Sequence, residues 1–382
     1  MYVNELLKTA IESGASDLHL KVGGYPTMRI QGDLRPLTNE HRLEKAEMME
    51  VAKAVIPDHL WERFEKDHEV DLSYGVPGLG RFRCNAFQQR GTVGIVFRVI
   101  PMRIGTIDEL ALPPVLRTIA GEERGLVLVT GTTGSGKSTS LAAMIDEINS
   151  NRTSHVITIE DPIEYLHRDN RSIINQREIG VDTHAFSQAL RSALRQDPDV
   201  ILVGEMRDFE TIETALLAAE TGHLVFSTLH TVDATETINR IITVFPPHQQ
   251  KQIRMQLAGV LKAIISQRLM PKADGLGRVP AVEVLINTPF IKDCIADKEK
   301  THLIRNAIAQ GTSQYGMQTF DQSIFHLYQR GLVSYDEALR WASNVDEFKL
   351  RVQGISTTAD LAREAMADTL HNAPEITRFG QH

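Results

Sequence analysis

The stretch Gly131-Thr132-Thr133-Gly134-Ser135-Gly136-Lys137-Ser138 constrains the fold of this 382-residue chain more than any other, because of what flanks it. Leu126 to Thr130 is an apolar run of strand length, and Thr139-Ser140-Leu141 opens a helical pattern. Strand, glycine-rich turn and helix in that order make the first half of a βαβ unit. Glycines let the backbone curl until successive N–H groups and the helix N-terminus point at one spot, an arrangement suited to phosphate. The G-x-x-x-x-G-K-[ST] spacing adds a lysine that reaches the β- and γ-phosphates and a hydroxyl that ligates Mg²⁺. Gly131, Thr132, Thr133, Gly134, Ser135, Gly136, Lys137, Ser138 and Thr139 are therefore expected to cradle ATP, with Ser138 on Mg²⁺.

From Gly125 onward, strand-length apolar runs alternate with helical patterns, the signature of a doubly wound α/β core. The pattern predicts strands at Leu126 to Thr130, His155 to Ile159, Val200 to Val203 and Leu224 to Thr228. It predicts a helix from Phe209 to Glu220 with Ile212, Leu216 and Ala219 on one face. Polar groups follow the strands: Glu160, Asp161 and Glu164 after the second, Gly204 and Glu205 after the third, His230 after the fourth. In an open parallel sheet such groups share one crevice with the glycine-rich loop. ATP hydrolysis needs a group that orients or deprotonates water and a carboxylate that helps hold Mg²⁺, and both acidic segments supply candidates.

Bulk properties exclude other classes. At 382 residues two or more domains are expected. A net charge of −8 with dispersed Lys and Arg argues against nucleic acid as the main partner. No run approaches the ~20 apolar residues of a membrane span, and the N-terminus lacks the pattern of a signal peptide, so a cytosolic protein without membrane insertion is expected. Cys84 and Cys294 form no Cys-x-x-Cys pair, which excludes a zinc ribbon and a disulfide framework. Residues 1–100 read as a mixed strand and helix domain, 101–122 as a Pro-bearing linker, 123–353 as the ATPase domain turning more helical beyond Ser266, and 354–382 as a polar, mobile tail.

Longer motifs extend this reading. Gly14-Ala15-Ser16-Asp17-Leu18-His19, Arg81-Phe82-Arg83-Cys84-Asn85-Ala86-Phe87, Glu160-Asp161-Pro162-Ile163-Glu164-Tyr165, and the run from Gly222-His223 to Leu229-His230-Thr231 resemble, in order, motifs of the secretion ATPase family. The closest likeness is to the PilT- and PilU-type ATPases of type IV pilus retraction and twitching motility. The resemblance implies a PAS-like N-terminal α+β domain followed by a RecA-like ATPase domain with a helical C-terminal part. It implies Glu164 as catalytic glutamate, Glu205 as the Walker B carboxylate on Mg²⁺, and His230 near the γ-phosphate. It also implies a cytoplasmic homohexamer docking peripherally at an inner-membrane pilus platform protein, with a paralogous retraction ATPase as a further partner. Arg83 and Arg98 are the candidates for arginines supplied to the neighbouring subunit's nucleotide. One departure stands out: where the PilT type has Ala-Ile-Arg-Asn-Leu-Ile, this chain has Phe290-Ile291-Lys292-Asp293-Cys294-Ile295, and other stretches look more PilU-like.

Overall fold

The computed structural model describes residues 2–354 apart from 31 and 102, so the tail expected over 354–382 lies, but for Gly354, outside the described residues. The chain forms two compact units: Met1–Arg103 with Pro162–His167, and Ile104–Asp161 with the chain from Arg168 onward. The stretch 104–122, expected as linker, contributes Ile107, Leu112, Leu116, Ile119 and Ala120 to the core of the second unit.

The first unit holds helices α1 (Tyr2–Glu12), α2 (Lys45–Val55) and α3 (Asp58–Asp67) and strands β1 (Asp17–Lys21), β2 (Thr27–Ile30), β3 (Asp33–Pro36), β4 (Glu69–Val76), β5 (Gly80–Gln89) and β6 (Thr92–Val99). Among the described residues the strands form one antiparallel sheet ordered β3-β2-β1-β6-β5-β4. β5 shows why one face is wet and the other dry: Phe82, Cys84 and Ala86 are buried, and Arg83 between them is exposed. Phe82 meets Phe97 of β6 edge-on, ring centroids 6.5 Å apart.

The second unit holds strands β7 (Gly125–Thr130), β8 (His155–Glu160), β9 (Ile173–Glu178), β10 (Val200–Val203), β11 (Leu224–Leu229), β12 (Leu261–Pro271) and β13 (Arg278–Ile286). Its helices are α4 (Val115–Ala120), α5 (Lys137–Asn151), α6 (Phe186–Ala193), α7 (Phe209–Glu220), α8 (Ala234–Thr243), α9 (Gln250–Val260), α10 (Pro289–Ala296), α11 (Ile304–Gln310), α12 (Thr312–Tyr315), α13 (Phe320–Gln329), α14 (Tyr335–Trp341) and α15 (Val345–Val352). The sheet order is β13-β12-β7-β11-β10-β8-β9, parallel except for β13. Successive residues feed opposite cores: Leu126 and Leu128 join the cluster under α6 to α9, and Val127 and Val129 the one under α4 and α5. With helices on both faces, no polar alternation survives in β7 or β10, which is why they read as unbroken apolar runs.

The turn to a more helical chain, expected from about Ser266, comes only at Pro289. Leu261–Pro271 and Arg278–Ile286 are paired antiparallel strands, and helices resume at Pro289. The buried polar side chains of Ser266, Gln267 and Glu283 break the apolar pattern there. In α10, Ile291 and Ile295, the two isoleucines shared with the Ala-Ile-Arg-Asn-Leu-Ile segment, are buried one helical turn apart. The differing positions Phe290, Lys292 and Asp293 are exposed, so most of that departure falls on surface.

Candidate functional site

Helix α5 begins on a backbone that only glycine adopts cheaply. Gly136, at the N-cap, has φ 92°, and Gly131 has φ 140°. A Cβ on Gly131 would sit 2.5 Å from both the Gln267 carbonyl and Ser135 Oγ, so any side chain there forces β12 and the loop apart. The Lys137 side chain folds back over the loop, where its ammonium donates to the carbonyls of Gly131 (2.9 Å) and Thr132 (3.1 Å). The loop thus gathers backbone N–H groups, a helix N-terminus and a lysine, a donor set matched to phosphate.

Parallel pairing puts the other groups at the same edge. β11 aligns with β7 through Leu229↔Thr130, so His230 and Gly131 leave adjacent strands at one level. Val203 of β10 aligns with both Ile159 and Ser227. Beyond it, Gly204 N–H donates to the Ile159 carbonyl (2.7 Å) and the Thr228 hydroxyl to the Gly204 carbonyl (2.6 Å), tying the three strand ends together. Glu205 Oε1 then lies 3.3 Å from His230 Nε2 and 2.5 Å from Arg207 Nε. Burial pushes the Glu205 carboxyl up, but the Arg207 hydrogen bond and the charges of His230 and Arg207 outweigh it and hold the group below its usual range. Glu205 is therefore an anion at neutral pH. Glu160, at the end of β8, accepts from Thr158 Oγ1 (2.6 Å) and Gln176 Nε2 (3.1 Å).

Sequence reasoning missed Arg207 and Gln267. Arg207 lies two residues past Glu205, where the guanidinium and carboxylate can meet. Gln267 is buried on β12 and donates to Ser140 Oγ of α5 at 2.6 Å, bracing the helix that the loop opens. The signal for it was the apolar flank Ala263-Ile264-Ile265, a strand adjoining the loop. His223 lies just before β11, at the edge opposite His230, with its ring 3.0 Å from the Ala218 carbonyl.

Glu164 is exposed, outside regular secondary structure, and its segment Pro162–His167 belongs to the first unit. Arg83 and Arg98 also lie in that unit and stand directly opposite each other in the β5–β6 register. A row runs across the sheet through Arg29, Asp17, Arg98 and Arg83. Arg98 Nε pairs with Asp17 Oδ1 at 2.9 Å, whereas Arg83 has no ion pair among the described residues. Burial pushes Asp17 up, but the Ser16 hydroxyl and Arg98 overcome this and hold its carboxyl low.

A phosphate-type loop and an ionised Glu205 that meets His230, at the carboxyl edge of a sheet covered on both faces, define a nucleotide-handling α/β class. Comparison with known proteins narrows it: residues 1–340 match the family described as type II/IV secretion system protein, and the chain belongs to that family. It is 47% identical over 348 residues to the type IV pilus retraction ATPase PilT of Pseudomonas aeruginosa, covering 91% of this chain and 100% of the relative. It is 43% identical over 361 residues to the type IV pilus ATPase PilU of the same organism, covering 94% of each. Its fold matches a crystal structure of the pilus retraction motor PilT with bound ADP at a TM-score of 0.83 and 47% identity, covering 90% of this chain and 97% of the other. Among the described residues no helix is long and apolar enough to cross a membrane.

Proposed function

We propose that this chain is a cytoplasmic ATPase that hydrolyses Mg-ATP to power type IV pilus retraction and twitching motility. In this reading it works as a homohexamer docked at an inner-membrane pilus platform protein, with a PAS-like N-terminal domain and a RecA-like ATPase domain. The observation that carries the reading is the Gly131–Ser138 loop at one sheet edge with the Glu205–His230 pair, in a chain 47% identical to a retraction ATPase. Gly131 to Thr139 wrap the phosphates and Lys137 meets the β- and γ-phosphates. Ser138 and the ionised Glu205 are hard oxygen donors that fit Mg²⁺, which when bound neutralises phosphate charge. Glu164 orients and deprotonates water, and His230 reads the γ-phosphate. Arg83 and Arg98 are supplied to the neighbour's nucleotide.

Deleting the gene from its host tests the direction of work. Retraction predicts abundant surface pili and lost surface motility; a strain without pili would point to extension instead. One observation supports a second reading, an accessory partner of another retraction ATPase: the exposed positions of α10 depart from the PilT pattern, and the relation to PilU is nearly as close. Motility restored by this chain alone, in a host lacking every paralogue, would set the accessory role aside.

A further inference from the structure

Glu283 of β13 is buried, yet it is ionisable and takes no part in the chemistry assigned above. Its Oε1 accepts from the N–H of Ala234, the first residue of α8, at 2.9 Å. The rest of that turn is held from within: Asp233 Oδ1 accepts from Glu236 N–H (2.8 Å), the Val232 N–H donates to Glu236 Oε2 (3.0 Å), and the hydroxyls of Thr231 and Thr237 meet at 2.6 Å. The turn leaves the sheet at His230, directly after β11, and Glu283 adds a side-chain tie from β13 to its far end. We propose that Glu283 is a positioning residue: through Ala234 it anchors the first turn of α8 to β13, and with it the loop that holds His230 beside Glu205. This rests on the ATPase reading and adds a residue to its site.

Beside Glu283 lies a polar cavity of about 180 Å³, lined by Asp233 before α8, Arg268 of β12, Arg305 of α11 and Asp321 of α13. Arg305 is engaged with Asp321 (3.9 Å), and Arg268 lies over the Phe320 ring (3.9 Å to its centroid). Burial pushes the Glu283 carboxyl up to about 7; the Ala234 hydrogen bond and both arginines oppose this, and the Asp233 charge reinforces it. Two consequences of opposite sign follow. The folded chain keeps the Glu283 proton to about pH 7, whereas an ordinary carboxyl loses it near 4.5. The stability linked to that proton is therefore full below pH 4.5 and lost as pH rises to about 7. The anchoring bond, in contrast, is strongest when Glu283 is charged, since a carboxylate at a helix N-terminus accepts a charge-assisted hydrogen bond. Rising pH should weaken the fold and tighten the site.

Glu283→Gln keeps the acceptor oxygen and removes the titration. In the full chain, its melting temperature should match wild type near pH 5 and exceed it by several degrees at pH 8. Its kcat for ATP should fall about five-fold at pH 8 with KM unchanged, and its pH–rate profile should lose the limb near neutrality. Glu283→Asp, which restores the charge on a shorter stem, should recover part of that limb. If wild type turns over ATP and Glu283→Gln copies its kcat at every pH, the positioning role is overturned and the ATPase reading stands. If wild type hydrolyses no ATP, the ATPase reading falls and this proposal with it.

Discussion

Glu164→Gln is expected to bind Mg-ATP as tightly as wild type, to assemble normally, and to lose about 10²–10⁴-fold in turnover, the contribution of a general base. The substitution keeps the size of the side chain and removes its proton affinity. Glu164 is exposed on an irregular segment, so the fold has nothing to lose there. Glu205→Gln should behave differently. Glu205 is an anion shared by Arg207 and His230, and neutralising it frees the Arg207 guanidinium and removes the carboxylate charge at the strand ends. Its loss should appear as a raised Mg²⁺ requirement. Nucleotide affinity and steady-state hydrolysis of both variants across a Mg²⁺ titration separate the roles. More than about a tenth of wild-type turnover in Glu164→Gln, less than the smallest loss expected for a base, would move the role to Glu205.

The second large effect concerns the arginines. An arginine finger contributes about 10³–10⁵ to kcat in P-loop enzymes. Arg83 and Arg98 face each other across β5 and β6, but Arg98 is held by Asp17 while Arg83 is not. Arg83→Ala should therefore lose more turnover than Arg98→Ala and leave the Asp17 pair undisturbed. If the guanidinium acts on a neighbour's nucleotide, Arg83→Ala subunits retain sound loops and Lys137→Ala subunits retain sound arginines, so mixing the two inactive chains should restore activity. No recovery at any ratio, in rings shown to be mixed, would place the arginine's role within its own chain or outside catalysis.

What the sequence revealed, and what it hid, follows from which interactions are local. The loop, the strand before it and the helix after it are written in consecutive residues, and strand-end placement of Glu205 and His230 follows from parallel topology. The β12–β13 pair was missed because Ser266, Gln267 and Glu283 are polar yet buried, satisfied by partners distant in sequence such as Ser140 and Ala234. The Asp17–Arg98 pair, 81 residues apart, is equally invisible to periodicity. The membership of Pro162–His167 in the first unit depends on tertiary contacts that a strand-ending proline does not announce.

Phosphate release by the purified full-length chain, with ATP and with and without Mg²⁺, tests the ATPase reading most directly when set beside Lys137→Ala. Lys137 lies over its loop and supplies the charge that meets phosphate, while the loop's shape is set by Gly131, Gly136 and Gln267. The account predicts Mg²⁺-dependent release by wild type, and release at background in a Lys137→Ala chain that still melts cooperatively near the wild-type temperature. Equal release by the two chains, or wild-type release indifferent to Mg²⁺, would contradict it.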